Sequence, residues 1–152
     1  MRTINKIFAE DQQDRKDLSS FNKPKYFSQR DKERRAEVLT LIDTGKIVSG
    51  ADLFKAAMIF HHGSTSAHLK KALSLAKRSM SMKYKPTFWL YAAITDRLLM
   101  RQGKPQKFGT QYFRKNNNTP WALYKTNPKT TDAERKKYNV PPLRSTIALI
   151  KK

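Results

Sequence analysis

The chain has no cysteine, only five glycines in 152 residues, and twelve acidic side chains against 32 Lys and Arg. Without cysteine there is no disulfide framework, thiolate nucleophile, iron–sulfur ligation or zinc finger. Three histidines, with no His-Glu-x-x-His spacing and no carboxylate-rich ligand run, give no reason to expect a metal, and no cofactor is implied. Long apolar runs are also missing. The longest is the seven residues 88–94, too short to cross a bilayer. The first ten residues lack an apolar stretch of signal-peptide length, so the expectation is a cytoplasmic chain with no membrane partner.

What is abundant is positive charge, a formal +20. It is unevenly spread: residues 1–40 carry a net +3, residues 41–80 a net +4 and residues 81–152 a net +13. Such asymmetry is expected of a surface that attracts nucleic acid or another polyanion. Lys supplies 21 of the 32 cations, which suits solvation better than bidentate phosphate recognition. The sixteen aromatics and 38% hydrophobic content are too many for a disordered basic tail, and the length fits one domain spanning 1–152.

Apolar spacing reads as mainly α. Residues 1–27 form an N-terminal helix (Ile4, Ile7, Phe8, Leu18, Phe21) and a loose stretch with Pro24. A helical core over 28–102 follows. Its first helix begins at Ser28 with Asp31 as a capping partner, shows Val38, Leu39 and Ile42 on one face, and ends at Gly45. The next, from about Gly50 to His62, is apolar nearly all round and should be buried. Ser64, Thr65 or Ser66 caps a third, with Leu69, Ala72, Leu73, Ala76 and Met80 on one face; Pro86 and Thr87 start a fourth, ended by Gly103. Small residues at 56, 57, 72, 76, 92 and 93 suit close antiparallel helical hairpins of tetratricopeptide-like packing, without a period that would make a solenoid. Residues 103–152 hold a loop, a small β-hairpin from Phe108–Phe113 and Trp121–Tyr124, a short helix capped by Thr131 and Glu134, and a last helix from Leu143 to Ile150.

Three helices carry an acid and a base on or near the apolar face: Asp11 with Arg15, Asp31 with Arg35, and Asp96 beside Arg97. A carboxylate on a buried face is costly unless paired, so these read either as one shared polar centre or as separate structural ion pairs. His61 and His62 close a buried helix, where His62 is either a cap or a general acid–base group. The loop from Gly103 to Gln111 carries two glycines and the neutral donors and acceptors Gln106, Thr110 and Gln111; it lacks the Walker spacing but suits a polar ligand. Aromatics interleave with cations at Phe108, Tyr112, Phe113, Arg114, Lys115, Trp121, Tyr124 and Lys125. They suit base stacking, and equally the packing of a hairpin.

The segments Asp52–Gly63, Thr95–Gln111, Thr130–Arg135 and Asn139–Leu143 together resemble successive motifs of a bacterial family catalogued as domain of unknown function 6624. The resemblance spans roughly residues 28–145, and Asp-Arg followed by Pro-Gln-x-Phe-Gly-Thr-Gln is its most specific part. It implies that His62, Asp96, Arg97, Gln106, Gly109, Thr110 and Gln111 form one site. His61 stands where the family usually has Gln. The family brings no activity with it, and the strong positive charge is not something it implies.

Three functions remain open. One is a ligand-binding or catalytic helical domain, with His62, Asp96 and Arg97 catalytic and with Gln106, Gly109, Thr110, Gln111, Asp31 and Arg35 holding a small anionic ligand. Another is a basic module that binds RNA or DNA without catalysis. The third is a protein-interaction domain whose polar centre only specifies packing.

Overall fold

A computed structural model describes residues 1–17 and 24–151, and of residues 24–27 the backbone alone. The molecule is mainly helical. Among the described residues there are seven helices and one two-stranded antiparallel sheet. No helix among them is long and apolar enough to cross a membrane. Contacts divide the chain into two compact units, Met1–Lys85 and Pro86–Lys152. The division falls inside the stretch 28–102 that the sequence reads as one core.

The first unit holds α1 (Ile4–Lys16), α2 (Pro24–Asp43), α3 (Gly50–His61) and α4 (Ser66–Ser81). α1 starts at the Thr3 cap, and the expected apolar positions Leu18 and Phe21 lie outside the described residues. α2 begins four residues before the expected start. Pro24 occupies its first position, where a missing N–H costs nothing, so Ser28 is interior and Asp31 caps nothing. Val38 and Leu41 are buried on α2 while Leu39 is exposed, so the inward face is turned from the one expected. Gly45, at φ +69°, takes the left-handed conformation that follows the helix end.

Ser49 and Asp52 cap α3 reciprocally, and Thr65 caps α4. The two pack as a helical hairpin over Leu53, Ala56, Ala57, Phe60, Leu69, Ala72, Leu75 and Ala76. Close approach is visible at Gly50, whose carbonyl accepts from Ser79 Oγ at 2.7 Å. A Cβ on Gly50 would fall 2.9 Å from the Tyr84 Cβ.

The second unit holds α5 (Pro86–Arg101), β1 (Tyr112–Phe113), β2 (Ala122–Leu123), α6 (Asp132–Lys137) and α7 (Leu143–Ile150). The expected hairpin is present but reduced to two residues a strand, with Tyr112 opposite Leu123 and Phe113 opposite Ala122. Thr131 and Glu134 form the expected capping box on α6. A small core joins Ala92, Phe108 and Val140, with Tyr138 stacked on Tyr91 at 5.3 Å and tilted against Phe108 at 5.0 Å.

Candidate functional site

The loop after α5 is built around two buried side chains. Asp96, on α5, has no exposed surface, and its carboxylate accepts four hydrogen bonds. Oδ1 takes the backbone N–H groups of Lys107 and Phe108, both at 2.8 Å. Oδ2 takes the N–H of Thr110 at 3.0 Å and its hydroxyl at 2.7 Å. A carboxylate has about four lone-pair sites, so this one is filled.

Gln106 is equally buried and equally spent. Its Nε2, with two hydrogens, is shared among the carbonyls of Gln111 and Tyr124 and Thr126 Oγ1, and its Oε1 accepts from Gln111 N–H at 2.9 Å. Arg135, almost fully buried on α6, donates from Nε to the Phe108 carbonyl at 2.8 Å and from Nη1 to the Thr130 carbonyl at 3.0 Å. Gly109 sits at φ +89°, with the Leu143 Cδ1 only 2.8 Å from where a Cβ would stand. Backbone angle and crowding both require glycine there.

Four of the expected site residues shape this loop. Asp96 anchors the loop, and Gln106 and Gly109 hold its shape. Thr110 gives its hydroxyl proton to Asp96 and accepts from Gln111 Nε2 at 3.0 Å, so it too is occupied. Gln111 binds the loop through its backbone and this one side-chain bond. Arg97 is half-buried beside Asp96 on α5. The sequence flagged Asp96 because a charge on an apolar helix face needs a partner. The partner is backbone N–H, which no side-chain pattern announces.

What the anchored loop presents outward is basic. A cleft of about 320 Å³ is lined by Met100, Gly103, Lys104, Pro105, Tyr124 and Lys125. It shares Lys104 and Pro105 with a second cleft of about 440 Å³, whose other polar residues are Lys107, Asn127, Lys129, Thr130 and Glu134. The paired clefts make a groove with four lysines and one acid. The hairpin borders it. Phe113 and Tyr124 pack ring on ring at 4.6 Å on one face of the ribbon, and Tyr112 meets Trp121 edge-on at 5.4 Å on the other. Arg114 lies 4.7 Å over the Trp121 ring. Tyr112, Trp121 and Tyr124 remain 47%, 39% and 40% exposed, whereas Phe108 is buried. The interleaved aromatics thus divide into one core residue, one half-buried residue and three surface rings.

His62 and the other two flagged pairs lie in the first unit. Asp11, only 1% exposed, holds His62 Nδ1 at 3.0 Å. Arg15 and Arg34 stand 3.6 and 3.8 Å from the same carboxylate. Asp31 pairs with Arg15 at 2.9 Å and Arg34 at 3.0 Å, and not with Arg35 as its four-residue spacing suggested. Asp14 pairs with Arg30 at 2.7 Å and with Arg34. Burial pushes the Asp14 carboxyl up, but the Arg34 and Arg30 hydrogen bonds outweigh it and hold it below the usual carboxylate value. Asp14 and Arg34 were not singled out in the sequence. Each lies three residues after a flagged acid, a spacing as good as four for sharing a helix face.

Arg35 makes no salt bridge among the described residues and is half-buried. Burial lowers its affinity for the proton, and the Asp31 charge raises it in part. No group of three or more metal-ligating side chains is arranged to hold an ion among the described residues.

No family model matches the chain, and no curated protein or solved structure matches it.

Proposed function

We propose that this chain binds single-stranded nucleic acid through its second unit, the lysine groove taking the phosphates and the hairpin aromatics taking bases. The observation that carries this reading is the Tyr124 ring, exposed on the wall of a cleft whose other polar residues are Lys104 and Lys125. A ring face beside two to four cations is the arrangement that lets a base stack while its backbone is neutralised, and it favours unpaired strands because a duplex hides its base faces. Lys107 and Lys129 extend the cationic track, and Arg114 over Trp121 adds a second flat surface. The net charge of +20 supplies long-range attraction without specificity. The alternative, a catalytic pocket that includes Asp96 and Gln106, is disfavoured because Asp96 is spent on Lys107, Phe108 and Thr110, and Gln106 on Gln111, Tyr124 and Thr126.

The test is binding of a fluorescent single-stranded oligonucleotide by anisotropy between low and physiological salt. Neutralising about four phosphates gives a slope of about −3 in log K against log salt, at −0.7 per contact for single strands. Tyr124→Ala lowers affinity by about 1–3 kcal/mol with that slope unchanged. Duplex of the same length bound as tightly, or Tyr124→Ala without effect, defeats the stacking reading.

A further inference from the structure

The second unit has a further cleft, of about 220 Å³, that the lysine groove does not include. Trp89 of α5 and Tyr112 of β1 line it together with Thr146, Leu149 and Ile150 of α7. Tyr112 pairs with Leu123, so it stands on the ribbon face opposite Tyr124. Both rings keep open surface, 41% for Trp89 and 47% for Tyr112. No charged residue lines the cleft among the described residues.

Its base is fixed before any ligand arrives. Gly109 and Thr110 line it as well, and Thr110 is tied twice to the buried Asp96. Gly109 is crowded against Leu143 at the start of α7, and Val140 belongs to the small core with Ala92 and Phe108. A cleft shaped this way costs little ordering when it is filled.

Charge and size narrow the occupant. Residues 86–152 carry fourteen Lys and Arg against three acids, so a molecule drawn to this unit is anionic. The cleft itself is apolar and ring-walled, and therefore takes the uncharged part of such a molecule. It lies below the about 300 Å³ at which pockets for drug-sized ligands begin, which suits one flat ring system and is short for an acyl chain. The groove is also close at hand. The amides of Lys107, a groove residue, and Thr110, a cleft residue, bind the same Asp96 carboxylate at 2.8 and 3.0 Å.

We propose that this cleft binds one unpaired base of a strand whose phosphates lie in the lysine groove, stacked against Trp89 and Tyr112. This rests on the single-strand reading and extends it: the strand passes the ribbon and is held on both faces. Stacking between rings accepts any base, so the cleft adds affinity and not sequence preference.

The test uses the full chain carrying Trp121→Phe, which leaves Trp89 as its single tryptophan, and a single-stranded oligothymidylate of about 12 nucleotides. Trp89 fluorescence is quenched saturably, with the midpoint that anisotropy gives for the same strand. Thr146→Phe, folded by circular dichroism, fills the cleft, removes the quench and weakens binding about tenfold, the loss of one stacked base. Trp89→Leu weakens binding to a similar extent by anisotropy. Binding that needs Tyr124 but leaves Trp89 unquenched, or that neither variant weakens, overturns the cleft and spares the groove. Absence of any strand binding removes both. Equal quenching by inorganic polyphosphate, which has no bases, overturns the proposal. Quenching by an acidic peptide bearing one phenylalanine, and not by the strand, overturns it too and assigns the cleft to a protein partner.

Discussion

Asp96 holds Thr110 twice through one oxygen: Oδ2 accepts both the backbone N–H, at 3.0 Å, and the hydroxyl, at 2.7 Å. With Oδ1 on the next-door amides of Lys107 and Phe108, one buried carboxylate on a rigid helix sets the path of a loop that has no regular structure of its own. The groove lysines Lys104 and Lys107 ride on that path.

The consequence for stability is direct. Asp96→Ala orphans three backbone N–H groups, one buried and two part-buried, each costing about 1–3 kcal/mol when cut off from water, so the variant loses about 3–5 kcal/mol after relaxation. Urea denaturation measures it. Hydrogen exchange at the Lys107, Phe108 and Thr110 amides rises together. A loss under about 1 kcal/mol contradicts the anchor role.

Acid stability follows from Asp14. Its folded value lies below the ordinary one, so the unfolded chain takes up the proton first. The stabilisation is present above the ordinary value near 4 and is lost as pH falls through the lower folded value. Asp52, lowered by the Ser49 and Val48 amides against the upward push of burial, acts in the same direction. The melting temperature therefore drops as pH falls below about 4, and Asp14→Asn flattens that drop. A melting temperature with the same acid dependence in Asp14→Asn contradicts this assignment.

Much of the fold is legible in the residues. Thr131 with Glu134, Pro86, Gly45 and Gly103 mark helix ends where the structure has them, because each acts through a contact within one turn. The start of α2 is misread because Ser28 with Asp31 imitates a cap, while Pro24 is the stronger signal. The polar clusters are legible only in part. Asp11, Asp31 and Asp96 are all buried, as charges on apolar faces suggest. Their partners come from other segments: Arg15 bridges α1 to Asp31 on α2, His62 reaches Asp11 from 51 residues away, and Asp96 takes backbone amides. Side-chain spacing within one helix carries no information about such bonds.

The most direct measurement for the nucleic-acid reading compares two charge reversals of equal size in the single-strand binding assay. One changes Lys104, Lys107, Lys125 and Lys129 to Glu; the other changes the exposed Lys32, Lys46, Lys70 and Lys77 of the first unit. The groove account predicts a loss of about a hundredfold or more for the first set and the disappearance of most of the salt slope, with the second set within a few-fold of the unaltered chain. Equal losses from the two sets contradict it, because binding then follows net charge and not a defined groove.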